Sequence, residues 1–285
     1  MTIARLRPSL LLGLAILTFA GTGARAASLD HIQASQQLEL CAHPDMLPFS
    51  KQSEPPSGFQ VELAQALADR LGVELDISWI ISRRSASKTG CDLYAGVARI
   101  DDAPSKYLKL TDAFMRMESV LVTAAHRPAL HSITDLQGMT VGVAPGSVAA
   151  HRLNQQGIRT STRFLDESKR LQALLNHAID AAVVTQLSAG WLQQQLQQQQ
   201  EDDEKRAENE KHSALNILDA EQLLGARLNY DYALGLRKAD QSTLEHFNAL
   251  LAEMKADGSL AGLLRHYGLD AAGHIALSSK PITTN

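Results

Sequence analysis

An apolar strand, an amphipathic helix and a second apolar strand follow one another early in the chain: LELCA at 38–42, GFQVELAQALADRLG at 58–72 and VELDISWI at 73–80. The helical stretch keeps its apolar residues on one stripe and stops at Gly72. A helix between two strands makes them parallel neighbours, because an antiparallel pair needs only a turn. A third strand, CDLYAGV at 91–97, follows ISRRSASKTG at 81–90. That connection is short for a parallel return, so any helix in it has little more than one turn.

The pattern then repeats. ESVLVTAA at 118–125 is a long strand, Ser132 to Gly138 a cap and turn, and MTVGV at 139–143 a strand followed by a helix that opens at Gly146-Ser147. TRFLD at 162–166 reads as a strand, ESKRLQALLNHAI at 167–179 as a helix, and DAAVVT at 180–185 as a strand buried on both faces. LNYDYALGLRK at 228–238 returns as a strand, and two helices broken at Asp257-Gly258 close the chain. QQQLQQQQEDDEKRAENEK, within 192–212, is polar all round and is expected as a solvated helical extension or a flexible excursion. The fold class is therefore α/β with two lobes, each a doubly wound, mostly parallel sheet. Lobe I takes 36–122 plus 229–270, lobe II takes 123–228, and a polar tail at 271–285 is expected to be loose.

Bulk properties exclude several functions. With 285 residues, 45% hydrophobic and 20% charged, the chain is globular and long enough for two cores. A formal charge of −4 argues against nucleic acid or an anionic membrane as partner. Residues 1–26 carry two arginines, an apolar run from Leu10 to Ala20 and Ala24-Arg25-Ala26, the pattern of a secretory leader. No cysteine lies at the cleavage point for a lipid anchor, so the expected product is a periplasmic monomer. Two cysteines, Cys41 and Cys91, suit one bridge in an oxidising compartment. In the 2-1-3 strand order of doubly wound lobes the strands bearing them are neighbours. A metal site is not expected: apart from His43, neither cysteine has a His or Cys at ligand spacing.

Two such lobes joined by strands that cross and return describe a hinged clamshell. GFQVELAQALADRLG, SITDLQGMTVGVAPGS and HAIDAAVVT resemble the periplasmic solute-binding proteins of polar amino-acid importers (type II clamshells, family 3). CAHPDMLPFS, WIISRR, GCDLYAGV, LTDAFMRMESVLV, IDAAVVTQLSAGW and YALGLRKAD are similar to the MxaJ/XoxJ branch of that superfamily, found with pyrroloquinoline-quinone (PQQ) alcohol dehydrogenases. The sequence departs from that branch at His43 and in its shortened crossover.

The resemblance implies a ligand clamp: an arginine for a carboxylate and, after the Asp-Ala strand, an aspartate for an ammonium. Aligned on LTDAF at 110–114, these places hold Pro104 and Thr185 or Gln186. Proline offers no donor and glutamine no charge, so a standard amino acid is not the expected ligand. Arg99, just past the third strand, either replaces the arginine or is a solvated loop residue beside Asp101 and Asp102. Thr111 falls where the family has a ligand-facing hydroxyl and Phe49 where it has an aromatic wall, the alternative for Phe49 being core packing. Gly146 and Ser147 either present helix N–H groups to a ligand or simply cap the helix. Trp79 with Arg83-Arg84 lines the cleft mouth or a partner surface, or is a core tryptophan beside two exposed arginines.

The branch resemblance implies a non-catalytic accessory of a PQQ-dependent alcohol (methanol) dehydrogenase, holding a small ligand or the enzyme itself. The alternative is the binding subunit of an ABC importer, with its permease as partner, for a small polar solute other than a standard amino acid. An enzyme on this fold would need a catalytic pair that the motifs do not bring together, and no cofactor is implied. Closure is expected at Val120–Thr123 and Asn229–Leu236.

Overall fold

The computed structural model describes residues 28–82, 85–99, 108–204 and 215–275. The leader, Arg83-Arg84, Pro104 and residues 205–214 of the polar insert lie outside the described residues.

Lobe I begins with helix α1 (Leu29–Ser35), whose His31 N–H donates to the Ser28 hydroxyl, and strand β1 (Gln37–Ala42). A hairpin of β2 (Asp45–Met46) and β3 (Ser50–Lys51) leads to helix α2 (Phe59–Leu71), which ends at a left-handed Gly72. Strand β4 (Glu74–Trp79) pairs parallel with β1 over its whole length. The short crossover forms one 3-10 turn at Ser85–Lys88 before β5 (Leu93–Arg99), again parallel to β1. Cys41 at the end of β1 thereby comes within 5.3 Å (Cα–Cα) of Cys91, and the two are disulfide-bonded. β6 (Leu108–Leu110) and β7 (Met115–Met117) follow.

The chain then enters lobe II through β8 (Ser119–Ala124). β9 (Thr140–Gly142), α3 (Val148–Gln155), β10 (Arg159–Ser161), α4 (Glu167–Leu175), β11 (Ala181–Thr185), α5 (Gln186–Glu204), β12 (Leu215–Asp219) and α6 (Ala220–Leu224) complete it. Strand β13 (Tyr230–Arg237) returns to lobe I, and α7 (Gln241–Ala256) and α8 (Ser259–His266) pack on that lobe.

Two expectations need correction. The sheets are mixed rather than mostly parallel: lobe I runs β4-β1-β5-β13-β6 with β13 antiparallel to its neighbours, and lobe II runs β10-β9-β11-β8-β12 with β8 antiparallel to both neighbours. The crossing strands cause this, since a chain that leaves one lobe and re-enters it comes back in the opposite direction. The second correction concerns TRFLD: the strand is Arg159–Ser161, and 162–166 is loop with Leu165 exposed. As an edge strand paired only with β9, β10 has no need of an apolar run.

Each lobe has its own core. In lobe I, Leu38, Leu40, Phe59, Leu63, Leu67, Leu234 and Phe247 are fully buried together. Lobe II buries both faces of its sheet: Leu121 and Ala181 face one cluster, Val120, Val122, Ala182 and Val184 the other. That alternation explains why DAAVVT is apolar at nearly every position.

Helix α5 touches both cores, Leu187 packing in that of lobe I and Ala189 in that of lobe II. The backbone of Gly190 and Gly268 meets so closely that a Cβ on Gly268, itself at φ +77°, would lie 2.4 Å from the Gly190 carbonyl oxygen. Beyond it the chain to Ile275, whose last residues were expected to be loose, is held: Ile275 packs against both cores, and His274 pairs with Glu118 at 3.2 Å. The Gln-rich segment continues α5 as helix to Glu204.

Candidate functional site

The carboxyl ends of β1, β4, β9, β10 and β11 and the helix starts that follow them define the edge where open α/β sheets take ligands. The three exposed large hydrophobics among the described residues lie on this edge: Ile81 just after β4, Val148 opening α3 and Leu165 in the loop after β10. A shallow depression lined by Gln37, Asp69 and Glu74 is at the opposite, amino end of β1 and β4.

The residues singled out in the sequence divide into two groups. Arg99 and Thr111 come together, Arg99 Nη1 donating to the Thr111 carbonyl at 2.9 Å and pairing with Asp112 at 3.4 Å. Thr111 is fully buried; its hydroxyl donates to the Asp112 carbonyl (2.9 Å) and accepts from Leu234 N–H (3.0 Å), stitching β6 to β13. Gln186 is likewise buried. It donates to the Arg116 carbonyl (2.8 Å) and accepts from Glu118 N–H (2.6 Å), so its amide fastens α5 to β7 and to the residue that joins β7 to β8. Phe49 and Trp79 pack, half-buried, against the lobe I core.

Gly146 and Ser147 stand at the α3 start, where the Ser147 hydroxyl accepts from Ala150 N–H (3.1 Å) and Gly146 has open space beside its Cα. The segment from His43 to Phe49 is anchored by Ser50, which donates to the His43 carbonyl at 2.8 Å.

Sequence reasoning missed the charge at the centre of this edge. Thr185 ends β11, and both its N–H (3.0 Å) and its hydroxyl (2.7 Å) donate to Glu167 Oε2. Glu167 opens α4, a position that favours an acid through the helix dipole. The family aspartate's place holds Thr185, and a carboxylate reaches that residue from the neighbouring helix. Its only sequence signal is an acid in the first turn of α4. The exclusion of an amino acid no longer follows from that end, and Pro104, the other end, lies outside the described residues.

Strand β13 of lobe I carries two tyrosines. Tyr232 is buried and its hydroxyl accepts from Gln60 Nε2 at 2.7 Å; it lies over Gly96, where a Cβ would come within 1.9 Å of the oxygen. Tyr230 is half-buried and meets the Tyr232 ring edge-on at 6.3 Å between centroids. Burial pushes both phenol pKa values up, and the Glu167 charge adds to the shift in each. The charge of lobe II is thus felt on the strand that crosses back into lobe I. At the rim the Asp45 charge reaches Lys169, whose pKa is raised chiefly by its hydrogen bond to Asp166.

Residues 38–270 match the model of the bacterial extracellular solute-binding proteins, family 3. The chain is 27% identical over 263 residues to the L-cystine-binding protein TcyJ of Escherichia coli K12, covering 90% of each protein. It is 26% identical to the histidine-binding periplasmic protein of the same organism, over 88% of this chain and 93% of that one. Among solved structures it superposes on an ancestral cationic amino-acid solute-binding protein with a TM-score of 0.64 at 21% identity, covering 84% of this chain and 98% of that chain. That likeness supports the two-lobed fold. No helix among the described residues is long and apolar enough to cross a membrane.

Proposed function

We propose, for a chain that belongs to family 3 of the bacterial extracellular solute-binding proteins, that it captures a small polar solute between its lobes in the periplasm and hands it to an ABC permease. The observation that carries this reading is the extent of the family match, from Leu38 to Asp270, through both lobes and both crossing strands. These are the parts a hinged capture protein needs: two rigid bodies, and linking strands whose bending brings their ligand edges together. The relatives named for cystine and histidine bring amino acids and their amine derivatives forward as the first solutes to test.

The finer reading, an accessory of a PQQ-dependent alcohol dehydrogenase, stands on motif resemblance alone and gains nothing from relatives named as amino-acid binders. The deciding experiment is thermal unfolding of the exported protein against the natural amino acids, their amines and a purified PQQ-dependent dehydrogenase. A solute at about 100 times its Kd adds about 2.7 kcal/mol, a rise in Tm of roughly 5–10 °C for a chain of this size. Such a rise with a solute supports capture; a shift with the dehydrogenase alone would reverse the order of the two readings.

A further inference from the structure

We propose that the turn after α8, from Gly268 to Ile275, is a strap across the hinge that holds the lobes apart and so sets the affinity for solute. This rests on the capture reading above and adds to it a part of the chain that touches both cores without belonging to either crossing strand.

The hinge itself is lightly built. Ladder pairing ends at Met117 with Tyr230 on the lobe I side and begins again at Val120 with Asp219 on the lobe II side. Between those pairs side chains join the two crossings: Asn229 Oδ1 accepts from Ser119 N–H (2.7 Å), and the Ser119 hydroxyl donates to the Leu228 carbonyl (3.2 Å). Two side-chain bonds resist bending less than a continuous ladder does, so 118–119 and 228–229 take up the rotation.

The strap is stiff and is seated on that point. Asp270 closes it, its N–H donating to the His274 carbonyl (2.7 Å) and its Oδ1 accepting from the N–H groups of Ala272 (2.8 Å) and His274 (3.0 Å). At its start Leu269 is fully buried in the lobe I core. Further along, His274 pairs with Glu118 at 3.2 Å and Ile275 packs against the cores of both lobes. Among the described residues, the hydrogen bonds that join the lobes cluster at this crossing, so the angle between the lobes is set here.

Closure turns lobe II about 118–119 while Leu269 keeps the strap with lobe I, and the contacts of His274 and Ile275 have to give. Those contacts therefore oppose the closed state, and apparent affinity falls with the fraction of molecules that can close. Ile275 carries most of the effect, because an ion pair with side chains 60% and 30% exposed contributes little.

The test compares the wild type with Ile275→Ala and with His274→Ala. Spin labels on Ile81→Cys and Leu165→Cys, exposed on the ligand edges of lobe I and lobe II, report the distance between the edges by dipolar electron resonance without any solute. Both native cysteines are in the disulfide and stay unlabelled. Calorimetric titration with L-histidine and L-cystine reads the affinity. Ile275→Ala gives a larger share of short edge-to-edge distances and binds solute about threefold or more tighter than the wild type. His274→Ala moves both readouts the same way by less, and at an exposed pair it keeps the test open if Ile275→Ala fails to fold. Loss of packing alone lowers stability and tightens nothing, so the direction separates a strap from a merely structural turn. An unchanged distance distribution, or one moved only to longer separations, overturns the strap, and so does equal or weaker binding by the variants. If neither solute binds any of the three proteins, the distance measurement alone decides, so the strap stands or falls apart from the capture reading.

Discussion

The two lobes meet the ligand edge with unlike surfaces. Lobe I brings polar groups that are already satisfied: the Thr111 hydroxyl joins β6 to β13, Arg99 holds the Thr111 carbonyl, and the Tyr232 hydroxyl takes a bond from Gln60. Lobe II brings a carboxylate: Glu167 Oε2 takes two bonds from Thr185, and Oε1 is ion-paired with the buried Arg170 at 3.7 Å. A buried neutral group with all its bonds made stabilises the fold and has little left for a solute, whereas a carboxylate keeps a charge at the edge even when paired. Changes on the lobe I side should therefore register as stability rather than affinity.

The largest effect expected on the lobe I side comes from the disulfide. Cys41 and Cys91 are 50 residues apart, so their bridge is worth about 4 kcal/mol on the chain-entropy account. Chemical denaturation with and without reductant should show a loss of that order. A loss near zero would mean that the sheet register alone holds the two strands.

Next, Gly268→Ala places a methyl group against the Gly190 backbone at a left-handed φ. A cost of roughly 2–3 kcal/mol is expected, read from the denaturation midpoint. An unchanged midpoint would show that α5 and the chain after α8 do not hold one another.

Thr111→Val sharpens the comparison most. It removes the hydroxyl that Leu234 N–H uses, so it should cost about 1–3 kcal/mol of stability and change the affinity for a bound solute less than threefold. A tenfold loss of affinity at unchanged stability would move the site into lobe I.

The smallest effect concerns Asp92, buried beside Cys91. Burial, and then the charge of Glu39, push its pKa up to about 6. The folded protein therefore holds this proton more tightly than the unfolded chain, and the ionised form costs stability as pH rises from about 4 through 6. Asp92→Asn should raise stability at pH 7 by about 1 kcal/mol, with the advantage fading towards pH 4. The same gain at both pH values would assign it to packing instead of charge.

Much of the fold could be read from pattern. Strands buried on both faces, such as DAAVVT, and helices with a glycine stop, such as 58–72, are set by local periodicity, and the structure has them where the pattern indicates. The disulfide followed from strand order, a consequence of the same alternation. Edge strands escaped: Arg159–Ser161 has one neighbour and polar residues, while of the apolar pair after it Phe164 packs against the lobe II core from a loop and Leu165 is exposed at the rim.

The site was less legible for a related reason. The family pattern puts a charge at 185 or 186, where the sequence has threonine and glutamine, but a carboxylate reaches Thr185 from the preceding helix, 18 residues earlier. Which element supplies a group to a point in space is a tertiary fact. Gln186 shows the converse, since a polar residue at a place where the family resemblance implies a ligand contact has both ends of its amide bonded to backbone, at Arg116 and Glu118.

Small-angle scattering of the protein with and without a solute that binds it tests hinge closure around a ligand, the centre of this account, most directly. The account predicts that saturating solute lowers the radius of gyration of the wild type. A wild type that binds solute with an unchanged radius of gyration would contradict it.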